Sequence, residues 1–225
     1  MLGSMKIDVI SDTICPWCFI GKRRLERAIE RAPDANVRVH WRPFQLDPSL
    51  PREGVDRKAY LARKFGDTPK ARLMTAALRD AGEREGITFN FDRIARTPNS
   101  LNSHRLIRWS STVGVQDDVV ERLFLAYFTE GRDIGDEEVL GDIAHEAGMD
   151  RELVLELLQS DADVELVSRE DSLARKMGIA GVPTFFFAGR YLLSGAEETH
   201  TLNAVITRLS NITSEASAAS HAAAP

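Results

Sequence analysis

Cysteine is almost missing from this chain: its 225 residues contain two, Cys15 and Cys18. A scaffold stapled by several disulfides is therefore excluded, and a chain of this length buries enough surface to fold without staples. Long apolar runs are missing too. The longest uncharged stretch, residues 177–189, contains Gly and Pro and falls short of the ~20 apolar residues a membrane helix needs. Positive charge is not in excess. Lys and Arg number 29 against 34 Asp and Glu, a net charge of −5, whereas a general nucleic-acid binder would be basic. There is no glycine-rich phosphate loop and no internal repeat. His40, His104 and His145 are scattered without ligand spacing, and structural zinc takes four ligands, so no metal is expected. No apolar leader precedes the first strand, so a cytoplasmic location is expected. Residues 1–4 read as an expression scar, and the Ser/Ala-rich residues 213–225 as a flexible tail.

What is present is an ordinary globular mixture, 43% apolar and 28% charged. Lys6 to Ser11 has strand character, and Val37, Val39 and Trp41 alternate with polar residues as a half-buried strand does. Between them, Leu25, Ala28 and Ile29 have helical spacing, which makes a strand–helix–strand unit. From about Val55 the signal is helical. Apolar stripes run through Leu106–Val113, Val120–Phe128, Val139–Ala147, Leu153–Leu158 and Val164–Met177. The period then changes. Thr184–Phe187 and Tyr191–Leu193 read as paired strands, and Leu202 to Leu209 as a closing helix. Strand signals thus lie at both ends of the chain with helices between. The expected fold is α/β, with residues 5–45 and 161–212 forming one domain and residues 46–160 an all-helical insertion.

The residues that carry chemistry are Cys15-Pro16-Trp17-Cys18, between the first strand and the first helix. Proline suits the first helical position because its missing N–H would have no partner there. Residues three apart share a helix face, so the two sulfurs can meet. The positive helix end favours a thiolate at Cys15. Two other uses compete: a structural disulfide, worth only about 2 kcal/mol for so short a loop, and half a zinc site, for which the other cysteines are missing. A second signal is Gly181-Val182-Pro183-Thr184 ahead of the strongest strand, where proline removes a ladder donor. Locally, a trans proline opening the strand and a cis Val182–Pro183 bond both remain open.

Together these segments, with Trp41-Arg42-Pro43-Phe44-Gln45-Leu46 and Asn99-Ser100…His104-Arg105-Leu106, resemble the thioredoxin-fold DsbA family, and within it the FrnE-like branch. The resemblance runs from about Met5 to Leu209. It implies a thioredoxin fold interrupted by the helical insertion, a cis Val182–Pro183 bond opposite the cysteines, and a dithiol activity. Kappa-class glutathione transferases and 2-hydroxychromene-2-carboxylate isomerases look similar around Asn99 and His104, but they carry Ser where this chain has Cys15. One departure stands out. The buried acid that many relatives place six residues before the first cysteine is Val9 here, flanked by Asp8 and Asp12, and neither is assigned as a proton acceptor.

The reading is a thiol–disulfide oxidoreductase with Cys15, Cys18 and Pro183 as catalytic residues. Trp17 and Val182 border the substrate, and the resemblance adds Asn99 and His104 to them. The partners expected are protein or peptide thiols and disulfides, with no nucleic acid and no membrane. No cofactor is expected beyond the Cys15–Cys18 disulfide, with glutathione as a conceivable co-substrate. The alternatives are a glutathione-dependent isomerase or transferase, and a non-catalytic dithiol module that binds a partner or buffers metal.

Overall fold

A computed structural model describes residues 4–66 and 68–222, with side chains up to residue 212. The first three residues of the expected scar and the last three of the expected tail lie outside the described residues. The backbone of the rest of that tail is helical, because the last helix continues to Ala222.

Four strands form the main sheet: β1 (Met5–Ser11), β2 (Val37–Pro43), β5 (Thr184–Phe187) and β6 (Tyr191–Ser194), in the order β2-β1-β5-β6. β1 runs parallel to β2, with Ile7 opposite Val39, and antiparallel to β5, with Val9 opposite Phe185. The parallel pair requires a crossover, supplied by α1 (Pro16–Glu30). This is the expected thioredoxin arrangement, a βαβ unit joined to a hairpin and a closing helix, α9 (Thr199–Ala222). Alternation along β1 divides the core. Ile7 and Val9 join the large apolar cluster that α1 and α9 also enter, while Ile10 packs with Phe44, Ala174 and Ile179. Ala174 lies on α8 (Val164–Lys176).

Between β2 and α8 come α2 (Arg57–Phe65), α3 (Pro69–Arg84), α4 (Leu101–Thr112), α5 (Gln116–Phe124), α6 (Glu137–Glu146) and α7 (Arg151–Gln159). Two features here differ from the sequence reading. Val55–Asp56 (β3) pairs with Arg96–Thr97 (β4) as a two-residue ribbon, too short to leave a period in the sequence. And the stripe from Val120 to Phe128 is not one α-helix, since its second half, Leu125–Glu130, is wound as a π-helix.

The insertion does not own a separate core. Phe19, in the first turns of α1, stacks on Phe124 at 5.1 Å between ring centroids and meets Phe89 edge-on at 6.2 Å. Trp41 of β2 meets Phe124 edge-on at 6.4 Å. Buried apolar residues of both segments therefore meet in the larger cluster. Polar ties follow the same seam. The Gln116 amide accepts from the Trp41 N–H at 2.9 Å and donates to its carbonyl at 3.3 Å, which seals the outer edge of β2 there. Lys22 is buried and paired with Glu26, Asp117 and Glu121. Burial opposes its charge, but the three carboxylates win and hold its pKa up. Arg105 is fully buried on α4, and its guanidinium donates to the Asn102 side chain and to the carbonyls of Leu157, Leu158, Ser160 and Ala162. It thereby fastens the exposed α7–α8 link to α4.

A shared core predicts shared unfolding. Phe124→Ala should cost about 3–5 kcal/mol, and urea transitions followed by tryptophan fluorescence and by circular dichroism should stay coincident. Separate transitions would show two independent units.

Burial pushes the Tyr127 phenol to about 12, against the pull of Arg57. The stability that its neutral form brings is full below about pH 10 and is lost as pH rises toward 12. The loss reaches roughly 3 kcal/mol. Tyr127→Phe should flatten that part of an alkaline stability curve.

Candidate active site

β1 ends at Ser11, and a tight turn delivers the chain to α1. The Cys15 N–H donates to the Asp12 carbonyl at 3.1 Å. Cys15 is the N-cap of α1 in extended conformation, Pro16 follows at the first helical position, and the first turn holds no acidic residue. The positive end of the helix is thus left to the Cys15 sulfur. Cys18 sits one turn in. Both are free thiols, Cys15 at 5% exposure and Cys18 at 1%.

The two sulfurs differ in their surroundings. Burial pushes the Cys18 thiol well above its ordinary value, and the adjacent Cys15 sulfur adds to the shift. Hydrogen bonds from the Ser11 side chain and the Asp12 backbone oppose it but lose. Cys18 therefore keeps its proton at neutral pH. The Cys15 thiol points at the Val182 carbonyl, 3.6 Å away, and the Val182–Pro183 peptide bond is cis. Pro183 is buried against α1. A Cβ on Gly21 would lie 2.9 Å from Pro183 Cγ and 3.2 Å from the Phe185 ring, so only glycine permits this approach. Trp17 is 36% exposed beside the cysteines, and Leu46, equally exposed, is held against the same turn because its N–H donates to Asp12 Oδ2 at 2.6 Å.

The remaining expected site residues lie deeper or farther out. His104 is 3% exposed. Its Nε2 is 3.2 Å from the Phe44 carbonyl and 3.5 Å from Asp12 Oδ1, so it meets the active-site turn from behind. Asn99 is occupied structurally. Its amide accepts from Gln45 and the Leu101 N–H and donates to the Leu50 carbonyl. The helix that carries His104, α4, is packed onto the turn: Thr13 Oγ1 and Ser103 Oγ are 2.7 Å apart. Asp8 is on the sheet, paired with Lys6 and Arg42, which removes it from the cysteines. Asp12 is the acid at the site. No cluster of His, Cys, Asp and Glu able to hold a metal occurs among the described residues.

A cysteine pair on a helix start, with a cis-proline loop facing it, is the arrangement that the family comparison bears on. The model of the DSBA-like thioredoxin domain matches residues 6–207. The chain belongs to that family. A probable DsbA oxidoreductase from Streptomyces coelicolor is 27% identical, with a TM-score of 0.82 over 91% of this chain and 89% of its own. An uncharacterized Bacillus subtilis protein, YwbO, is 28% identical over 195 residues, which cover 86% of this chain and 91% of that protein. A 2-hydroxychromene-2-carboxylate isomerase shares the fold at 18% identity, with a TM-score of 0.71 over 93% of this chain and 98% of its own. Members of the family are oxidoreductases or isomerases, and its DsbA-like proteins act on thiols or disulfides.

Two outcomes follow from this geometry. Gly21→Ala should destabilise by roughly 1–3 kcal/mol through overpacking, read as a shift in the urea midpoint. In the reduced protein at pH 7, iodoacetamide should label Cys15 and leave Cys18, as mass spectrometry of the peptides would report. Faster labelling of Cys18 would reverse the roles.

Proposed function

We propose that the chain is a thiol–disulfide oxidoreductase acting on protein or peptide substrates. The observation that carries this reading is the asymmetry of the pair, with Cys15 at the helix cap facing the Val182 carbonyl and Cys18 buried and protonated behind it. Nucleophile and resolving thiol need this difference. The Cys15 thiolate attacks one sulfur of a substrate disulfide. A mixed disulfide forms, and the other substrate sulfur leaves as a thiolate. Cys18 then gives up its proton and attacks the Cys15 sulfur. The second substrate thiolate is released and the Cys15–Cys18 disulfide closes. Run backwards, the same steps oxidise a substrate dithiol. Trp17, Leu46 and Val182 border the place where the substrate sulfur must sit.

Cys18 also separates this reading from a glutathione-dependent isomerisation, which has no use for a resolving thiol. The test is reduction of insulin with dithiothreitol as the electron source. The unsubstituted protein should accelerate precipitation of the insulin chains. Cys15→Ser should abolish the acceleration, and Cys18→Ser should trap a mixed disulfide through Cys15. Unaccelerated precipitation, together with conversion of a test electrophile by glutathione, would favour the isomerase or transferase class instead.

A further inference from the structure

Asp12 has no exposed surface, yet its carboxylate is thinly provided for. Oδ2 accepts from the Leu46 N–H at 2.6 Å. Oδ1 has only the Ile14 N–H at 3.4 Å and His104 Nε2 at 3.5 Å. Among the described residues no Lys or Arg pairs with it, whereas the buried Lys22 and Arg24 each have two or more carboxylate partners. A buried carboxylate with so few partners needs a counter-charge, and the one side chain in place to supply it is His104.

The ring can do so. Both neighbours of Nε2 are oxygen acceptors, the Phe44 carbonyl and Asp12 Oδ1, which assigns the proton of the neutral ring to Nε2. A second proton would go to Nδ1 and give the imidazolium. The ring also borders a cavity of about 250 Å³. The charged and titratable groups there are His40 and Arg42 from β2, Arg108 from α4, Asp163 at the N-cap of α8 and Glu170 on α8. They largely cancel one another: Arg108 pairs with Glu170 and Asp163, and Arg42 with Glu170. Arg42 and Arg108 are 41% and 37% exposed, so this side of the ring lies toward solvent. Facing inward, Asp12 Oδ1 meets His104 and the N–H of Ile14, the residue before Cys15, while the Asp12 backbone carbonyl accepts from the Cys15 N–H.

We propose that Asp12 and His104 form a proton-linked charge pair that sets the reactivity of Cys15. The inference rests on Cys15 being the attacking thiolate. With His104 protonated, the pair is neutral and the thiolate feels the helix end alone. When His104 loses its proton, Asp12 is left as an unbalanced anion beside Cys15 and opposes the thiolate. The link is reciprocal. Two electrons from a dithiol reductant and one proton convert the Cys15–Cys18 disulfide into the Cys15 thiolate and the Cys18 thiol. The new negative charge raises the proton affinity of His104, which draws a further proton from water. His104 and Asp12 are positioning residues: they act through Cys15 and not on the substrate.

The experiment is the pH dependence of Cys15 alkylation by iodoacetamide in the reduced protein, which needs no substrate. The two substitutions should act in opposite directions. His104→Gln should slow alkylation near pH 6 by roughly fivefold, within the usual range of site-to-site coupling, and converge on the unsubstituted protein at high pH. Asp12→Asn, which keeps an acceptor for Leu46, should speed alkylation by a similar factor above the His104 titration. A purely structural role would move both the same way. Should a variant fail to fold, NMR titration of the His104 ring in the unsubstituted protein decides: it should lose its proton at higher pH in the reduced than in the oxidised state. Superimposable alkylation profiles, shifts of the same sign, or a His104 titration indifferent to redox state would overturn the pair. Insulin reduction measured alongside keeps the cases apart, since turnover with unlinked profiles removes only the charge pair, and linked profiles without turnover remove only the oxidoreductase reading.

Discussion

The seating of Phe19 governs the rest of the molecule. A cysteine at a helix cap is useful only if the helix cannot drift, and the first turns of a helix, with four unpaired N–H groups, are its loosest part. Phe19 directly follows Cys18, is fully buried, and stacks on Phe124 while meeting Phe89 edge-on. Aromatic pairs in such geometries add about 0.5–1.5 kcal/mol each beyond their burial. On the far side Gly21 lets Pro183 approach. The reactive end of α1 is therefore clamped between the insertion and the cis-proline loop, and the insertion is a structural part of the active site even where it touches no sulfur.

The same packing makes the insertion continuous with the rest of the core. The large apolar cluster runs from Ile7 and Val9 on β1 through Phe19 to Leu140 and Ile143 on α6 without a break. The polar seam repeats the pattern. Gln116 closes the edge of β2, the Trp41 ring N–H donates to Asp117, and Lys22 ties α1 to α5. Such cross-links are costly to break singly, because each buried partner left behind would be unsatisfied. Gln116 also donates to the Ile107 carbonyl and so joins this seam to α4, whose contacts, Ser103 to Thr13 and His104 to the Asp12 turn, hold the active-site loop from behind.

What the sequence made legible was local. The pattern Cys-Pro-Trp-Cys is four residues long, its helix cap is a near-neighbour property, and the alternation in β2 and the aromatic run of β5 are periods of two or unbroken apolarity. These survive in one dimension. The elements that escaped are defined by partners far away in the chain. Nothing near Asp12 announces His104, 92 residues on. Nothing near Trp41 announces Gln116. The β3–β4 ribbon has too few residues to show a period, and Leu125–Glu130 has the apolar spacing of an α-helix while winding as a π-helix. Family likeness marks Asn99 and His104 but not their partners: Gln45 and Leu50 for Asn99, the Phe44 carbonyl and Asp12 for His104.

The choice of cation behind the cysteines is itself informative. The chain is rich in arginine, and arginines occupy several of its demanding positions: Arg24 beside Glu85, Arg105 among five acceptors, Arg175 over the Phe44 ring. Arg175 comes as near as the Gln45 carbonyl, one residue from the Leu46 N–H that Asp12 binds. Yet its charge is spent on Asp171. A guanidinium on Asp12 would be permanent, since arginine does not give up its proton in proteins, and would hold the balance of charge beside Cys15 constant at every pH. Histidine is the one ordinary side chain that can be a cation in one state and neutral in another near neutral pH. The proposed charge pair uses that property at the buried acid, while Thr13, Ser103 and Leu46 hold the turn itself in place.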